Sequence, residues 1–511
     1  MVLIVDEFAR QRPDEVALSD SRAALTWSEV NGTLERAVHV LLGLDLGPDR
    51  RVAILAENAL EGAVAHAAAL LAGVSAVPVN FHLKPAEVAY ILDVSGARVL
   101  LAGPETVGVA REAAAAATVG ATVVAWRSAP EPGVSSWEAL LAGAPTGPPP
   151  TDMPPLPPLM FTSGTTGRPK AVEQPPTMFP GGSTVADLMQ QLRENPLAPL
   201  GPHLVVGPMY HTGPLTGVRT LLAGAPVVVA GRFDAESVLR TVQEHRIATT
   251  VMVPTHFSRL LALPEQIRAQ YDVSSLAQVL HTGAACPVRV KRAMIDWWGP
   301  VLVEAYGATE VGTTNSIDSH EWLAHPGSVG RAVPPFEAVV VDGSGNPVPA
   351  GLPGQLCFRD ANGHGLRYLS GDPSGNLVGP DLFTLGEVGY LDDEGYVYIT
   401  DRSSDLVVSG GVNLYPAEAE AVLAAHPGVA DVAAFGVPDE EMGEQLRAVV
   451  VVSDPSLTEQ DLKDHCRSEL SHFKCPRSIQ IVGELPRSAM GKLDKRTLRA
   501  TFGGGVATSA T

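Results

Sequence analysis

Helix-like and strand-like segments alternate in residues 25–80, which read LTWSEVNGTLERAVHVLLGL (25–44), RVAILAE (51–57), EGAVAHAAALLAG (61–73) and AVPVN (76–80). The first and third segments have helical periodicity, and the second and fourth are short apolar runs typical of buried strands. Such strands, alternating with helices, are typical of a parallel sheet covered by helices on both faces. This stretch therefore predicts an α/β fold.

The same alternation continues beyond residue 200. Short apolar runs recur as HLVVGPM (203–209), PVVVAG (226–231), TTVMVP (249–254) and QVLHTG (278–283). Between the two alternating regions, residues 128–158 are rich in proline, which disfavours a central strand or a long helix and predicts an extended surface connection. The sequence thus predicts one large N-terminal α/β domain.

The pattern changes near Asp401–Arg402. Residues 403–438 read as a strand, a glycine turn, a helix that begins at Pro416, and another strand. We therefore predict a first domain over residues 1–401 and a small second domain over 402–511, with a hinge near Arg402–Ser404. From about residue 503 the chain is small and polar, which predicts disorder.

Composition and charge limit the classes of function. The chain has 511 residues and a net charge of -20, which argues against a nucleic-acid partner because phosphate-backbone binding needs clustered cations. Four widely spaced cysteines lack any C-x-x-C pairing, so neither a disulfide framework nor a zinc site is predicted. The sequence shows no secretory signal and no apolar run long enough for a bilayer, so we expect a cytoplasmic protein without integral membrane contact.

The segment FTSGTTGRPK (161–170) is the strongest local signal for function. Its glycines allow close approach of the backbone to a ligand, and its hydroxyls and amides can donate hydrogen bonds to phosphate oxygens. Lys170 would neutralise phosphate charge. The segment is not a Walker loop, because Arg168-Pro169 separate the glycine from the lysine. On composition alone, a flexible linker remains an equal alternative.

Three further segments carry polar groups suited to a nucleotide site. EAYGATE (304–310) places a ring, a hydroxyl and a carboxylate at the end of a strand, although an aromatic residue followed by glycine in a βα turn is commonly structural. GEVGYLDDEGY (386–396) and ITDR (399–402) predict a hairpin whose Glu387 and Arg402 either contact a ribose or are simply solvated. In LPRSAMGK (485–492), Lys492 lies on a glycine turn, and a lysine this near a terminus is ordinarily inert.

In this order, the segments resemble the adenylate-forming superfamily of acyl-CoA synthetases, aryl-CoA ligases, peptide-synthetase adenylation domains and beetle luciferases. The resemblance covers nearly the whole chain, and LTWSEV (25–30), AVPVNFHL (76–83), HTGAACP (281–287) and DRSSDLVVSGG (401–411) contribute to it besides the segments above. It implies a large N-terminal domain of layered mixed and parallel sheets with helices, and a small mobile α+β C-terminal lid.

The resemblance implies two half-reactions. A carboxylate attacks ATP to give acyl-AMP and pyrophosphate, and the thiol of CoA then displaces AMP. ATP, CoA and a small-molecule carboxylic acid are thus the expected substrates and Mg²⁺ the expected cofactor. The implied site residues are Thr162, Ser163, Gly164, Thr165, Thr166, Gly167 and Lys170 for the β- and γ-phosphates; Thr309 for the α-phosphate; Glu310 and Thr166 for Mg²⁺; Gly283, Ala284, Ala285 and Tyr306 for adenine; Glu387 and Arg402 for ribose; Lys492 for the adenylation step; and Gly410 and Gly411 for the pantetheine channel.

The acid is expected to bind near PMYHTG (208–213), which matches the family's acyl-pocket motif. There His211 would gate the carboxylate channel, with a packed structural histidine as the alternative. The motif lacks the Asp that peptide-synthetase domains use to hold an amino group, so an amino acid is disfavoured. Gly213, Gly283 and Ala284 leave room for a medium-to-long acyl chain or a bulky cyclic acid.

Some positions depart from the family pattern. Glu387 replaces the usual Asp at the ribose position, and Ala171 replaces a Gly after the phosphate-loop lysine. Gln355 stands where relatives often have Glu, and Ser404 stands at the hinge where they usually have Lys or Asp. These changes put the ribose geometry and the rate of domain rotation in question, but they remove no reacting group.

Competing functions remain at this stage. The enzyme could load an acyl-carrier protein in place of CoA, stop at acyl-AMP, or continue as a luciferase-like oxygenase. A non-catalytic nucleotide- or acyl-binding protein is disfavoured, because Lys170, Glu310, Arg402 and Lys492 are all present. A homodimer is compatible with the sequence, which does not fix the oligomeric state.

Overall fold

The computed structural model describes residues 3–162, 169–179, 181–363, 365–366, 369, 376–379, 381–402, 407–409, 412–439, 442–470, 472–487 and 493–503. Within these ranges the chain forms layered parallel and antiparallel sheets with helices, followed by a small C-terminal α+β unit. The predicted fold class is confirmed.

The strands of the described chain are β1 (Val16–Ser19), β2 (Ala24–Thr26), β3 (Arg51–Leu55), β4 (Ser75–Val79), β5 (Val99–Ala102), β6 (Thr122–Ala125), β7 (Val134–Ser136), β8 (Leu159–Thr162), β9 (Lys170–Glu173), β10 (His203–Val205), β11 (Val227–Val229), β12 (Thr249–Met252), β13 (Gln278–His281), β14 (Leu302–Ala308), β15 (Gly312–Asp318), β16 (Arg331–Ala332), β17 (Phe336–Val341), β18 (Gly354–Asp360), β19 (Leu382–Leu391), β20 (Val397–Arg402), β21 (Val407–Ser409), β22 (Val412–Leu414), β23 (Val429–Asp439), β24 (Gly443–Val452) and β25 (Ser478–Val482).

The α-helices are α1 (Asp6–Gln11), α2 (Trp27–Gly43), α3 (Leu60–Leu71), α4 (Pro85–Ser95), α5 (Val107–Ala116), α6 (Trp137–Gly143), α7 (Val185–Leu192), α8 (Thr216–Leu222), α9 (Ala235–Glu244), α10 (Pro254–Leu261), α11 (Glu265–Arg268), α12 (Val288–Trp298), α13 (Ser319–Ala324), α14 (Pro416–Ala425), α15 (Glu459–Glu469) and α16 (Lys495–Phe502).

The segment that predicted an α/β fold supplies strands β3 and β4 of a five-stranded parallel sheet. Its strand order is β4-β3-β5-β6-β7, with every pair parallel. All residues of β3 and β4 are buried, as expected for strands covered on both faces. Helix α2 starts later than residue 25 because Thr26 caps it, in a capping box with Glu29.

A larger sheet carries the second alternating region. Its strand order is β16-β15-β14-β13-β12-β10-β11-β1-β2, and the strands from β10 to β14 run parallel to one another. Parallel strands end at one edge, so the loops after β12, β13 and β14 lie side by side. The interpretation of EAYGATE (304–310) as a βα turn is wrong, because β14 continues to Ala308 and turns directly into the antiparallel strand β15.

The proline-rich connection at 128–158 has more structure than expected. It contains the short edge strand β7 and the helix α6, and Trp137 is only 1% exposed. Ser136 caps α6 through the backbone N–H of Ala139. A buried tryptophan next to an N-cap residue therefore outweighed the prolines around it.

The remaining described sheets are antiparallel or mixed. Strands β17 to β20 form an antiparallel sheet in which β19 and β20 make the predicted hairpin. Strands β21 to β24, with β25 parallel to β24, form the C-terminal sheet, and α14 begins at Pro416 as predicted. This unit has hydrophobic clusters of its own between Val407 and Leu498. The expected disorder of the tail concerns residues outside the described ranges.

We expect a methyl group at Gly217 in α8 to disturb the packing of this helix on β10. An added Cβ would lie 2.3 Å from Cγ2 of Val205, so Gly217→Ala should lower the free energy of unfolding by about 1–3 kcal/mol through overpacking. Gly108→Ala in α5 is the matched control, because its Cβ would meet nothing within 4 Å. Urea unfolding curves that coincide for wild type and Gly217→Ala would contradict this packing.

Candidate active site

A cavity of about 1360 Å³ lies where β12, β13 and β14 end. Its wall includes residues from these strand ends, from β8 and β9, from the start of α8 and from the hairpin strand β19. Arg487, from the C-terminal segment LPRSAMGK, also lines it. Strands of three sheets and the C-terminal unit therefore contribute to one cavity.

The turn from Tyr306 to Glu310 forms the centre of this wall. A Cβ on Gly307 would lie 1.9 Å from the carbonyl oxygen of Gly312, so only glycine permits the tight approach of β14 to β15. The Oγ1 of Thr162 donates a hydrogen bond to Oε1 of Glu310 at 3.2 Å. The end of β8 is thereby joined to the turn, and the polar segments at 161–170 and 304–310 meet in space.

Glu387 joins the hairpin to the same turn. The hydroxyl of Tyr306 donates to Oε2 of Glu387 at 2.8 Å, and Glu387 is 7% exposed. The backbone of Glu387 pairs with that of Arg402 in the β19–β20 register. The structure thus brings together the two positions that the sequence predicted for the ribose, with the Arg402 side chain outside what it describes.

A buried ion pair links α12 to β14, the strand that leads into this turn. Nζ of Lys291 in α12 donates to Oε2 of Glu304 in β14 at 2.6 Å, and the Lys291 side chain is fully buried. Nε2 of His281 lies 3.6 Å from the same carboxylate oxygen. Burial lowers the pKa of Lys291 while Glu304 opposes the shift, and burial also lowers the pKa of His281 well below its usual value.

The predicted site residues fall into three groups. Thr162, Lys170, His211, Gly283, Thr309, Glu310 and Glu387 line the cavity. Tyr306 contacts it through Glu387, whereas Ala284 and Ala285 follow Gly283 as exposed residues away from the described cavity wall. Ser163, Gly164, Thr165, Thr166, Gly167, Ser404, Gly410, Gly411 and Lys492 lie outside the described residues.

Sequence reasoning missed the Lys291–Glu304 pair and Arg219. Arg219 lines the cavity from α8, whose other residues (Thr, Gly, Val, Thr, Leu, Leu) are uncharged. A single charged residue in a short, otherwise uncharged helix was the sequence feature that could have indicated a functional role for Arg219. The burial of Lys291 was not predicted, because the sequence VRVKRAM (288–294) is typical of an exposed basic stretch.

The described residues fit a magnesium nucleotide. A carboxylate oxygen, such as those of Glu310, is the ligand that Mg²⁺ prefers, and the ion usually takes one or two carboxylates together with substrate phosphates. The described part of the chain contains no cluster of three or more His, Cys, Asp or Glu residues that could hold a metal ion. The buried carboxylate of Glu387 suits hydroxyl donors such as those of a ribose.

Comparison with known proteins identifies the family. The model of the AMP-binding enzyme family matches residues 5–366, and that of the AMP-binding enzyme C-terminal domain matches residues 418–492. The chain belongs to the AMP-binding enzyme family. A feruloyl-CoA synthase of Amycolatopsis sp is 32% identical over 97% of this chain and 97% of its own length.

Other relatives agree with this assignment. The long-chain-fatty-acid–CoA ligase FadD13 of Mycobacterium tuberculosis is 30% identical over 94% of this chain and 93% of its own. The o-succinylbenzoate CoA synthetase MenE of Bacillus subtilis, solved with its acyl-adenylate intermediate, shares 25% identity and a TM-score of 0.79 over 99% of both chains. This member of the AMP-binding enzyme family is an AMP-forming acyl-CoA synthetase that uses ATP, Mg²⁺ and CoA.

Two further findings bear on the chain as a whole. None of the helices in the described ranges combines the length and hydropathy that a membrane span requires. Cys286, Cys357, Cys466 and Cys475 are all free thiols.

We expect Lys291→Met to destabilise the protein by about 3–5 kcal/mol, because it leaves the Glu304 carboxylate buried without its cation. The double variant Lys291→Met/Glu304→Leu should recover most of this loss, since both charges are removed together. The stabilities of both variants can be measured by urea unfolding followed by tryptophan fluorescence. The ring centroid of Trp322 lies 4.9 Å from Nζ of Lys291. A double variant no more stable than Lys291→Met would contradict the role of the pair.

Proposed function

We propose that the cavity is the adenylation site of this acyl-CoA synthetase. The observation that supports this most is the pair of hydrogen bonds Thr162–Glu310 and Tyr306–Glu387. They join the segments at 161–170, 304–310 and 386–402 around one space, and Gly283 and Lys170 line that space as well. A nucleotide is the ligand that would use a hydroxyl-rich strand end, a buried carboxylate and a lysine together.

The phosphates would bind at the end of β8. Thr162 and Lys170 occupy paired positions on β8 and β9, so the glycine-rich residues 163–168 connect two strands whose ends line the cavity. In this proposal Thr162, Ser163, Gly164, Thr165, Thr166, Gly167 and Lys170 hold the β- and γ-phosphates. Thr309 holds the α-phosphate, and Glu310 with Thr166 binds Mg²⁺, which would neutralise phosphate charge.

The nucleoside would bind between the turn after β13 and the β19–β20 hairpin. Gly283, Ala284, Ala285 and Tyr306 would enclose the adenine. Glu387 would accept hydrogen bonds from the ribose hydroxyls, with Arg402 donating from the paired position. The bond from Tyr306 fixes the carboxylate of Glu387, which reduces the orientational freedom that binding would otherwise remove.

In the first half-reaction, an oxygen of the substrate carboxylate bonds to the α-phosphorus of ATP. The bond from that phosphorus to the oxygen bridging to the β-phosphorus breaks, and pyrophosphate leaves. Negative charge accumulates between the two reacting anions, so a cation placed there stabilises the transition state. We assign this role to Lys492. Arg487 lines the cavity, and the five peptide units between the Cα atoms of Arg487 and Lys492 span at most about 18 Å.

In the second half-reaction, the sulfur of CoA bonds to the acyl carbon. The bond from that carbon to the AMP oxygen breaks, AMP leaves, and the thiol proton passes to solvent or AMP. We propose that the C-terminal unit, residues 402–511, rotates relative to residues 1–401 about a hinge at Arg402–Ser404. Rotation would replace Lys492 by Gly410 and Gly411, whose lack of side chains would leave room for pantetheine.

The acid would be a medium-to-long chain or a bulky ring acid. The His211–Gly213 turn lines the cavity, and a Cβ on Gly213 would lie 3.1 Å from Cγ1 of Val251, so the glycine keeps this passage open. His211 would gate the carboxylate. The names of the relatives, a feruloyl-CoA synthase and a long-chain-fatty-acid–CoA ligase, agree with both kinds of acid. Free thiols and the use of ATP and CoA support a cytoplasmic location.

A panel of carboxylic acids tests this proposal directly. With MgATP, an accepted acid should yield pyrophosphate and acyl-AMP, and adding CoA should yield acyl-CoA and AMP in equal amounts. Release of AMP only when an acyl-carrier protein replaces CoA would identify a different acceptor. Formation of ADP, or no acid-dependent pyrophosphate with any acid, would refute the proposal.

We expect Lys492→Ala to lower the rate of acyl-AMP formation by a factor of about 100 or more, because the variant loses one strong charge interaction in the transition state. Thioester formation from synthetic acyl-AMP and CoA should change little, because Lys492 leaves the site before that step. Lys495→Ala, three residues away and paired with Glu420 at 3.6 Å, is the matched control and should retain both activities. Equal loss of the two half-reactions in Lys492→Ala would contradict the assignment.

A further inference from the structure

Arg219 places a cation inside the cavity wall. It lies in the last turn of α8 and lines the cavity together with Thr216, Thr177 and Met178. Its guanidinium donates hydrogen bonds to the carbonyl oxygen of Met178 and to Oγ1 of Thr216. The side chain thus bridges α8 and the segment after β9.

The charge of Arg219 lacks a carboxylate among the described residues. No Asp or Glu oxygen of the described chain lies within 4.0 Å of its guanidinium, and burial lowers the pKa of Arg219. Other cavity arginines differ. Arg232 pairs with Glu57 at 3.2 Å, Arg487 pairs with Asp431, and Arg259 is exposed.

Arg219 is part-buried, and a cation that is partly removed from water without an anion is costly unless hydrogen bonds replace the lost solvent. The carbonyl of Met178 and the hydroxyl of Thr216 are neutral acceptors, and a guanidinium has more N–H donors than these two satisfy. The remaining donors suit a planar, two-oxygen acceptor, because carboxylates match the guanidinium fork. Because Arg219 lines the cavity, an oxygen of a ligand bound there can accept these hydrogen bonds.

The wall around Arg219 is continuous with the proposed reaction centre. Thr177 donates to the carbonyl oxygen of Val311 at 2.6 Å, and a Cβ on Gly312 would lie 2.9 Å from Cγ of Met178. The segment that accepts from Arg219 thus packs directly against the residues that follow Thr309 and Glu310. The same helix begins just after the His211–Gly213 turn, where the acid is proposed to enter.

We propose that Arg219 binds the end of the acid that is remote from the reacting carboxylate, and that the enzyme selects acids bearing a second carboxylate there. Each product would be the mono-CoA thioester of a dicarboxylic acid, with the second carboxylate held by the guanidinium. This inference rests on the proposed adenylation site and adds the class of acid that the site would select. An apolar acid would leave the part-buried cation without a carboxylate partner, so it would bind more weakly.

Matched acids test the selection. Nonanedioate is compared with nonanoate, and 3-(4-carboxycyclohexyl)propanoate with 3-cyclohexylpropanoate, by kcat/KM for acyl-CoA formation and by KM for ATP. In wild type we expect each diacid to exceed its partner by about 10- to 100-fold, the range for a hydrogen bond to a charged group. Arg219→Met should remove or invert this preference, Arg219→Lys should keep part of it, and KM for ATP should stay constant.

Controls separate this inference from the proposed function. Arg232→Met removes a cavity cation that already has a carboxylate partner, so the ratio of diacid to monoacid should not change. If monoacids give acyl-CoA in wild type with no diacid preference, or if Arg219→Met raises KM for ATP and slows all acids equally, Arg219 does not select the acid although adenylation stands. If no acid of either kind yields AMP, the proposed function fails, and the inference fails with it.

Discussion

The hydrogen bond from Thr162 to Glu310 joins two segments that are 148 residues apart, and the arrangement of the site depends on this junction. Thr162 ends a strand of the small β8–β9 sheet, whereas Glu310 follows a strand of the large sheet. Tyr306, in the same turn, extends the junction to Glu387 on a third sheet. Because the partners are part-buried, these bonds are protected from competition with bulk water, and they join three sheets around one cavity.

The buried ion pair of Lys291 and Glu304 holds the end of β14, which carries the polar turn from Tyr306 to Glu310, in one position. Glu304 lies two residues before Tyr306 in β14, and α12 supplies the cation that keeps its carboxylate in place. Such a pair contributes little net stability compared with an apolar core, but breaking it is costly. Its effect is therefore to specify a single position for the end of β14, from which Tyr306, Thr309 and Glu310 project. An acidic chain with a net charge of -20 can still bind a polyanion here, since its cations are placed locally.

Much of the architecture could be predicted because it depends on local patterns. The apolar runs at 51–57 and 76–80 became the buried strands β3 and β4, and Pro416 marked the first residue of α14. The direct turn from β14 into β15 could not be foreseen, because it requires the backbone approach of Gly307 to Gly312, which is a tertiary contact. Lys291 and Arg219 were missed for a related reason: a charged side chain is ordinarily exposed, and only the packing around it reveals burial. The exposed Ala284 and Ala285 were expected by resemblance alone, and the fold keeps only Gly283 of that run in the described cavity wall.

The central claim, that a single cavity assembled from these layers holds the nucleotide, is tested most directly by a crystal structure of the enzyme with an acyl-sulfamoyl adenosine. This molecule mimics acyl-AMP but cannot pass its acyl group to a thiol. The account predicts ribose hydroxyls within hydrogen-bond distance of Glu387, the base beside Gly283 and Tyr306, and the sulfamoyl group next to Thr309. A nucleotide bound elsewhere, with the space between Thr162, Glu310 and Glu387 filled only by water, would contradict it.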